Sequence, residues 1–166
     1  MRVRVLVAVC AMLVAMGATA CAPAPPMTPG NGIAQDLFDR VNAERAARGL
    51  APLSYDHGLE QLATDWAAHM ASAGLSHNPK LPGDVGENVA TGQTNSGQVH
   101  ASWMGSDGHR RNLLSEGYGS VGIGIVCSGG QIFAVADFRL APGATGVGGT
   151  PAAQPVARPE ASGVGC

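Results

Sequence analysis

The sequence predicts an α+β domain in which helices pack on a small antiparallel sheet, and three observations carry that prediction. Two amphipathic helical segments come early in the chain. Two runs of β character, SVGIGIVC and QIFAVADF, come late and are separated only by Ser128-Gly129-Gly130, which reads as an antiparallel hairpin. All seven aromatic residues lie between Phe38 and Phe138, whereas eight of the eleven prolines stand before residue 30 or after residue 141. The packed unit is therefore residues 33–140, and helices followed by a terminal hairpin bury their apolar faces as a helix layer on a sheet.

The elements follow in order. IAQDLFDRVNAERAARG places Ile33, Ala34, Leu37, Phe38 and Val41 on one helical face, with Asp36 and Asp39 early, Arg45 and Arg48 late, and Gly49 as the stop. A second helix from Asp56 to Ala73 carries Leu59, Leu62, Ala63, Trp66, Ala67 and Met70 on its apolar face, with Asp56 as N-cap and Gly74 past its end. The Gly/Pro-rich connection LSHNPKLPGDVG leads to a short strand, ENVAT, then to a third helix around residues 96–105 and a short helical turn capped by Asp107. Trp66 and Trp103 lie on apolar stripes and read as core residues rather than stacking platforms for a sugar or lipid. In the hairpin, Val121, Ile123 and Ile125 alternate with Gly122 and Gly124, so one face of that strand has almost no side-chain volume. Either a helix or a ligand must approach it closely.

The chain ends read differently from its middle. Residues 1–20 contain Arg2, Arg4, an apolar stretch over 5–16 and Ala18-Thr19-Ala20, the pattern of an export signal; the stretch falls short of the about 20 residues a membrane span takes. Residues 21–32 begin with Cys21 and hold four prolines, which resembles a bacterial lipoprotein junction: a lipidated Cys21 followed by an extended tether, with plain secretion as the alternative. Residues 141–166, rich in Ala, Gly and Pro and without an aromatic residue, are expected to be disordered.

Removing Arg2 and Arg4 with the signal takes the formal net charge from −2 to −4. A chain this acidic, whose one adjacent basic pair is Arg110-Arg111, lacks the basic stripe that nucleic-acid binding needs, and that pair reads as a solvated helix end. Of the four cysteines, Cys10 leaves with the signal and Cys21 is the lipidation site. Cys127 and Cys166 remain, either paired across a loop of about 40 residues or with Cys127 left as a buried free thiol. Metal ligation by cysteine lacks a second nearby thiol.

Among the five histidines, His57 and His69 lie off the apolar stripe of the second helix and read as solvated, while His100 in the third helix is ambiguous. His77 and His109 differ: the first follows a helix stop in a Gly/Pro-rich loop, and the second lies in SDGHRRN ahead of the hairpin. Glu87, between Gly86 and Asn88, is a carboxylate able to orient an imidazole.

The order and local wording carry more. Val41-Asn42-Ala43-Glu44-Arg45, Gly49-Leu50-Ala51-Pro52-Leu53, Leu62-Ala63, Trp66-Ala67, Met70, Ser76-His77, Gly86-Glu87-Asn88-Val89-Ala90, Trp103-Met104, Gly108-His109-Arg110, Asn112-Leu113-Leu114 and Val121-Gly122-Ile123-Gly124 together resemble the CAP superfamily. That superfamily comprises cysteine-rich secretory proteins, antigen 5 venom allergens and plant pathogenesis-related proteins, and the match is to its bacterial SCP-like branch, over about residues 35–138. The resemblance implies a three-layer α-β-α sandwich with a small antiparallel sheet. It also implies a ligand cleft holding His77, Glu87 and His109, in which His77 and His109 can bind Zn2+ or another divalent cation. The second acidic position of eukaryotic members falls on Ser106 here, so the metal would have two protein imidazoles and be held weakly.

The function that follows is an extracytoplasmic, lipid-anchored binding module. Its partner is expected to be a lipid or other small hydrophobic ligand, or an envelope component, and the membrane is reached through the lipid anchor. The competing readings are a metal-assisted hydrolase of peptide or envelope substrates with Glu87 as base, and a surface interaction protein with a vestigial cleft.

Overall fold

The structure, a computed structural model, describes residues 32–146 and 162–166. The expected export signal and Cys21 lie outside the described residues. The elements are α1 (Gly32–Ala46), β1 (Ser54–Tyr55), α2 (His57–Ala73), β2 (Val85–Gln93), α3 (Ser96–Gly105), α4 (Asp107–Leu114), β3 (Tyr118–Ser128) and β4 (Gln131–Leu140). The sheet order is β1-β3-β4-β2, with β4 antiparallel to both β3 and β2 and with β1 adding two residues in parallel at the far edge. The predicted ENVAT strand is the centre of a longer β2.

Strand alternation divides the sheet into two faces. Val121, Ile123, Ile125, Ala134, Ala136, Phe138 and Ala90 face α1, α3 and α4 and form the larger core around Trp103 and Leu37. Val89, Val135 and the partly buried Val126 and Phe133 face α2, meeting Ala63, Ala67 and Met70. The result is the three-layer α-β-α sandwich.

Small residues set the depth of the α2 layer. A Cβ on Gly122 would stand 2.1 Å from the backbone nitrogen of Glu60, and one on Gly124 would stand 2.1 Å from that of Thr64. The strand face without side chains is thus filled by the backbone of α2 rather than by a ligand. Asp56 starts the helix, its Oδ1 accepting from the amides of Gly58 and Leu59 at 2.8 and 3.1 Å. At the hairpin, Gly129 and Gly130 both take positive φ, 60° and 74°, as a two-residue turn of the primed type requires.

Arg45 departs from its sequence reading as a helix-end charge. It is buried, with Nε donating to Ala51 O at 2.8 Å and Nη1 donating to Leu113 O and Ser115 O, each at 2.9 Å. One guanidinium therefore ties α1, the following loop and the end of α4 together. Asp107 also departs: Ser106 occupies the N-cap of α4 without a side-chain cap bond, and Asp107 lies inside the first turn, paired with Arg110. Trp103 is fully buried as expected, its indole N–H donating to Val89 O at 3.2 Å. Trp66 is only half-buried; its indole N–H donates to Ser76 O at 2.8 Å and its ring stacks on exposed His69.

The tail expectation is corrected at its end. Residues 162–166 are seated against the domain: Ser96 N donates to Val164 O, Val164 N donates to Ser96 Oγ, Arg40 Nη2 donates to Ser162 O, and Asn95 and Gly165 form a β-bridge. Cys127 stands exposed at the end of β3 and is bonded to Cys166. The physical reason is a fit that composition does not reveal, since Gly163 has no room for a Cβ beside Ser96 Oγ and Gly97 N.

Candidate functional site

Three elements converge at the edge of the sheet, where β2 is the outermost strand among the described residues. Gly74, with φ 92°, ends α2 and turns the chain into the loop that carries His77. Glu87 and Asn88 are successive residues of β2 and point to opposite faces, Glu87 toward α2 and Asn88 toward α4. His109 lies in the first half of α4.

Glu87 orients His77. Its Oε1 lies 2.7 Å from His77 Nδ1 and accepts from the Asn78 backbone N–H at 3.0 Å. The carboxylate side chain is only 3% exposed, whereas the imidazole is 63% exposed, so the buried anion fixes a ring that faces solvent. With Nδ1 turned to the carboxylate, the other ring nitrogen is the one presented outward.

Asn88 anchors the backbone of His109 from the opposite face. It is fully buried, its amide donates to His109 O at 3.0 Å, and its oxygen accepts from Asn112 Nδ2 at 2.9 Å; Asn112 also reaches Glu87 O at 3.2 Å. These bonds clamp α4 to β2 beside the glutamate. Burial, and then the nearby charge of His77, lowers the pKa of His109, so its ring is neutral at pH 7 and has a lone pair to offer. Its Nδ1 is buried and has no hydrogen-bond partner among the described residues.

The structure thus sets Glu87 against the ring of His77 and anchors the His109 backbone through the neighbouring Asn88, close enough for the charge of His77 to act on His109. Ser106 sits at the α3–α4 corner, three residues ahead of His109, and its hydroxyl caps neither helix. Among the described residues no group of three or more His, Cys, Asp or Glu is arranged to hold a metal ion. A cavity of about 220 Å³ lined by Asp84, Val85, Tyr118 and Leu140 lies near the start of β2 and contains none of the three residues. Of the other histidines, His57 is exposed and paired with Glu60 at 2.6 Å, while His100 is buried against α1, where burial lowers its pKa. Arg110 turns back to Met104 O and Asp107, so it does not join Arg111 in a two-cation patch.

Asp137 escaped the sequence reading. It is Glu87's direct partner in the β2–β4 ladder, it is completely buried, and neither carboxyl oxygen has a hydrogen-bond partner among the described residues. Burial first, and the adjacent Glu87 second, push its pKa up to about 7. The available signal was an acidic residue inside the apolar run of QIFAVADF.

An α-β-α sandwich with a buried carboxylate fixing an exposed imidazole at the edge of the sheet sets the class. The model of the cysteine-rich secretory protein family, CAP, matches residues 38–138, and the chain belongs to that family. YkwD, an uncharacterized protein of Bacillus subtilis, is 33% identical over 113 residues, covering 56% of this chain and 42% of YkwD. An extracellular SCP-domain protein of Bacillus anthracis has a similar structure, with TM-score 0.61 and 26% identity over 71% of this chain and 45% of its own. NaASP2, solved with Zn2+, shares the fold at TM-score 0.57 and 14% identity, covering 68% of this chain and 83% of its own. The chain spans less than half the length of the two Bacillus proteins.

Proposed function

We propose that this CAP-domain protein is an extracytoplasmic binding module. Its cleft at His77, Glu87 and His109 takes the polar end of a lipid-like or envelope ligand, and its membrane attachment is a lipid on Cys21. The observation that carries the reading is the 2.7 Å contact between buried Glu87 and exposed His77, which presents an oriented imidazole at the surface. Leu75, two residues away and 56% exposed, gives the same loop an apolar neighbour, as an amphipathic ligand requires.

His77 and His109 would be the residues to hold a divalent ion such as Zn2+, and weakly: His109 is kept neutral, and among the described residues no group of three or more ligating side chains is gathered there. NaASP2 was solved with Zn2+, which supports testing the same ion here. Such an ion would supply positive charge for an anionic head group. Glu87 is better placed to orient than to act as a hydrolytic base, since its Oε1 already serves His77 and Asn78 and its side chain is nearly closed to solvent.

Displacement of a fluorescent fatty acid from the purified full chain tests the binding reading. Loss of affinity of about tenfold or more in His77→Ala, with the fold retained, is expected, corresponding to about 1.4 kcal/mol. Equal affinity in His77→Ala, His109→Ala and the parent overturns it. Blocking the lipoprotein signal peptidase tests the anchor: the exported form is expected to increase in size, and an unchanged size removes the lipid on Cys21.

A further inference from the structure

Glu87 and Asp137 are register partners in the antiparallel β2–β4 ladder, so their side chains stand side by side on the face covered by α2. The next position across the sheet is Gly122, over which the α2 backbone at Leu59 and Glu60 is seated, closing the space above Asp137. Three carboxyl oxygens lack a hydrogen-bond partner among the described residues: Glu87 Oε2 and both oxygens of Asp137. A buried anion with no donor is costly, and two adjacent ones are costlier.

The charged groups nearby do not relieve this. Arg139, two residues along the same face, is turned to Asp56 and Asp84 at 3.4 and 3.5 Å. At the near end of α2, His57 is paired with Glu60. From the loop after α2, His77 is turned to Glu87 Oε1. Among the described residues no cation comes to Asp137, which leaves a proton as the means of satisfying the pair.

We propose that Asp137 is a positioning residue that carries this proton, its carboxyl O–H donating to Glu87 Oε2. The single negative charge on Glu87 is then held from both sides, by Asp137 at Oε2 and by Asn78 N–H and the His77 ring at Oε1. Asp137 thereby acts on His77 through Glu87: it keeps the carboxylate in the orientation that fixes the ring, without touching ligand. Deprotonation sends the proton to solvent and places two anions side by side, which weakens that hold. The inference deepens the proposed role of His77 and rests on that reading for its functional meaning, whereas the acid pair itself stands on the ladder geometry.

Infrared titration of the carboxyl band in the full chain separates the two. A protonated-carboxyl band is expected to persist at pH 6 and disappear as the pH passes about 7. It should be absent in Asp137→Asn, and in Glu87→Gln its midpoint should move down by about one unit or more, because the neighbouring charge is gone. The amide of Asp137→Asn replaces the O–H donor without titrating, so fatty-acid binding in that variant should lose the fall between pH 6 and 8 that is expected of the parent. Absence of a protonated carboxyl in the parent at pH 6, or an equal band in Asp137→Asn, overturns the proposal. If the band behaves as expected while His77→Ala leaves ligand binding unchanged, the acid pair stands and the cleft reading falls.

Discussion

Glu87 holds His77 at 2.7 Å across a boundary between interior and solvent: the carboxylate is enclosed while the ring it orients is open. Removing the carboxylate should release the ring and leave Asn78 N–H without its partner. We expect Glu87→Ala to lower stability by about 1–3 kcal/mol in urea unfolding. It should also weaken any Zn2+ binding by about 10- to 100-fold in calorimetry, the usual cost of losing the group that orients a metal-binding histidine. Unchanged stability and metal affinity would contradict the orienting role.

The buried Asp137 makes stability depend on pH in a direction opposite to that of an ordinary salt-bridged carboxylate. Its pKa is about 7 in the folded protein against 3.8 as a free side chain, so across that window the folded chain keeps a proton that the unfolded chain releases. The group's contribution is fully present below about pH 4, is lost as pH rises to about 7, and is flat above. The full difference is on the order of 4 kcal/mol. Denaturant melts from pH 4 to 8 check this: the parent should lose stability across the window relative to Asp137→Asn, and parallel curves contradict it.

Gly124 has no room for a methyl group, because Thr64 N and Ala63 of α2 occupy the place where a Cβ would go. The obstacle is backbone, so the helix itself must move. Gly124→Ala is expected to cost about 3 kcal/mol, at the upper end of overpacking effects, with a fall in thermal midpoint by calorimetry. A neutral substitution would mean that α2 does not rest on β3.

The Cys127–Cys166 bond closes the strap formed by residues 162–166. Cys166→Ser should lower stability by about 4 kcal/mol on the chain-entropy account of a loop of this length. Amide exchange should then rise at Val164 and Ser96, whose bonds hold the strap. Protection of Val164 equal to the parent's would show that the strap docks without its covalent end.

Local pattern made much of this legible. The amphipathic helices, the Asp56 cap, the Gly129-Gly130 turn and the glycine face of β3 all follow from spacing along the chain. The contact between His77 and Glu87 joins two loci that the order of motifs singles out, since that order stands in for the fold. What escaped depends on contacts between distant segments. Asp137 acquires meaning only once the β2–β4 register sets it opposite Glu87. Arg45 reads as a helix-end charge until the chain returns with Leu113 and Ser115 to accept from it. The last five residues look like the rest of a glycine-rich tail, and the groove at Asn95 and Ser96 that receives them has no signature in the sequence.

Titrating Zn2+ into the full chain by calorimetry tests the proposal that His77 and His109 form one ligand-receiving pair at the edge of β2. One weakly bound ion per chain is expected, with the heat lost in both His77→Ala and His109→Ala and retained in His57→Ala, whose ring is exposed and paired with Glu60. No heat in the parent, or heat that survives in both site variants, would contradict it.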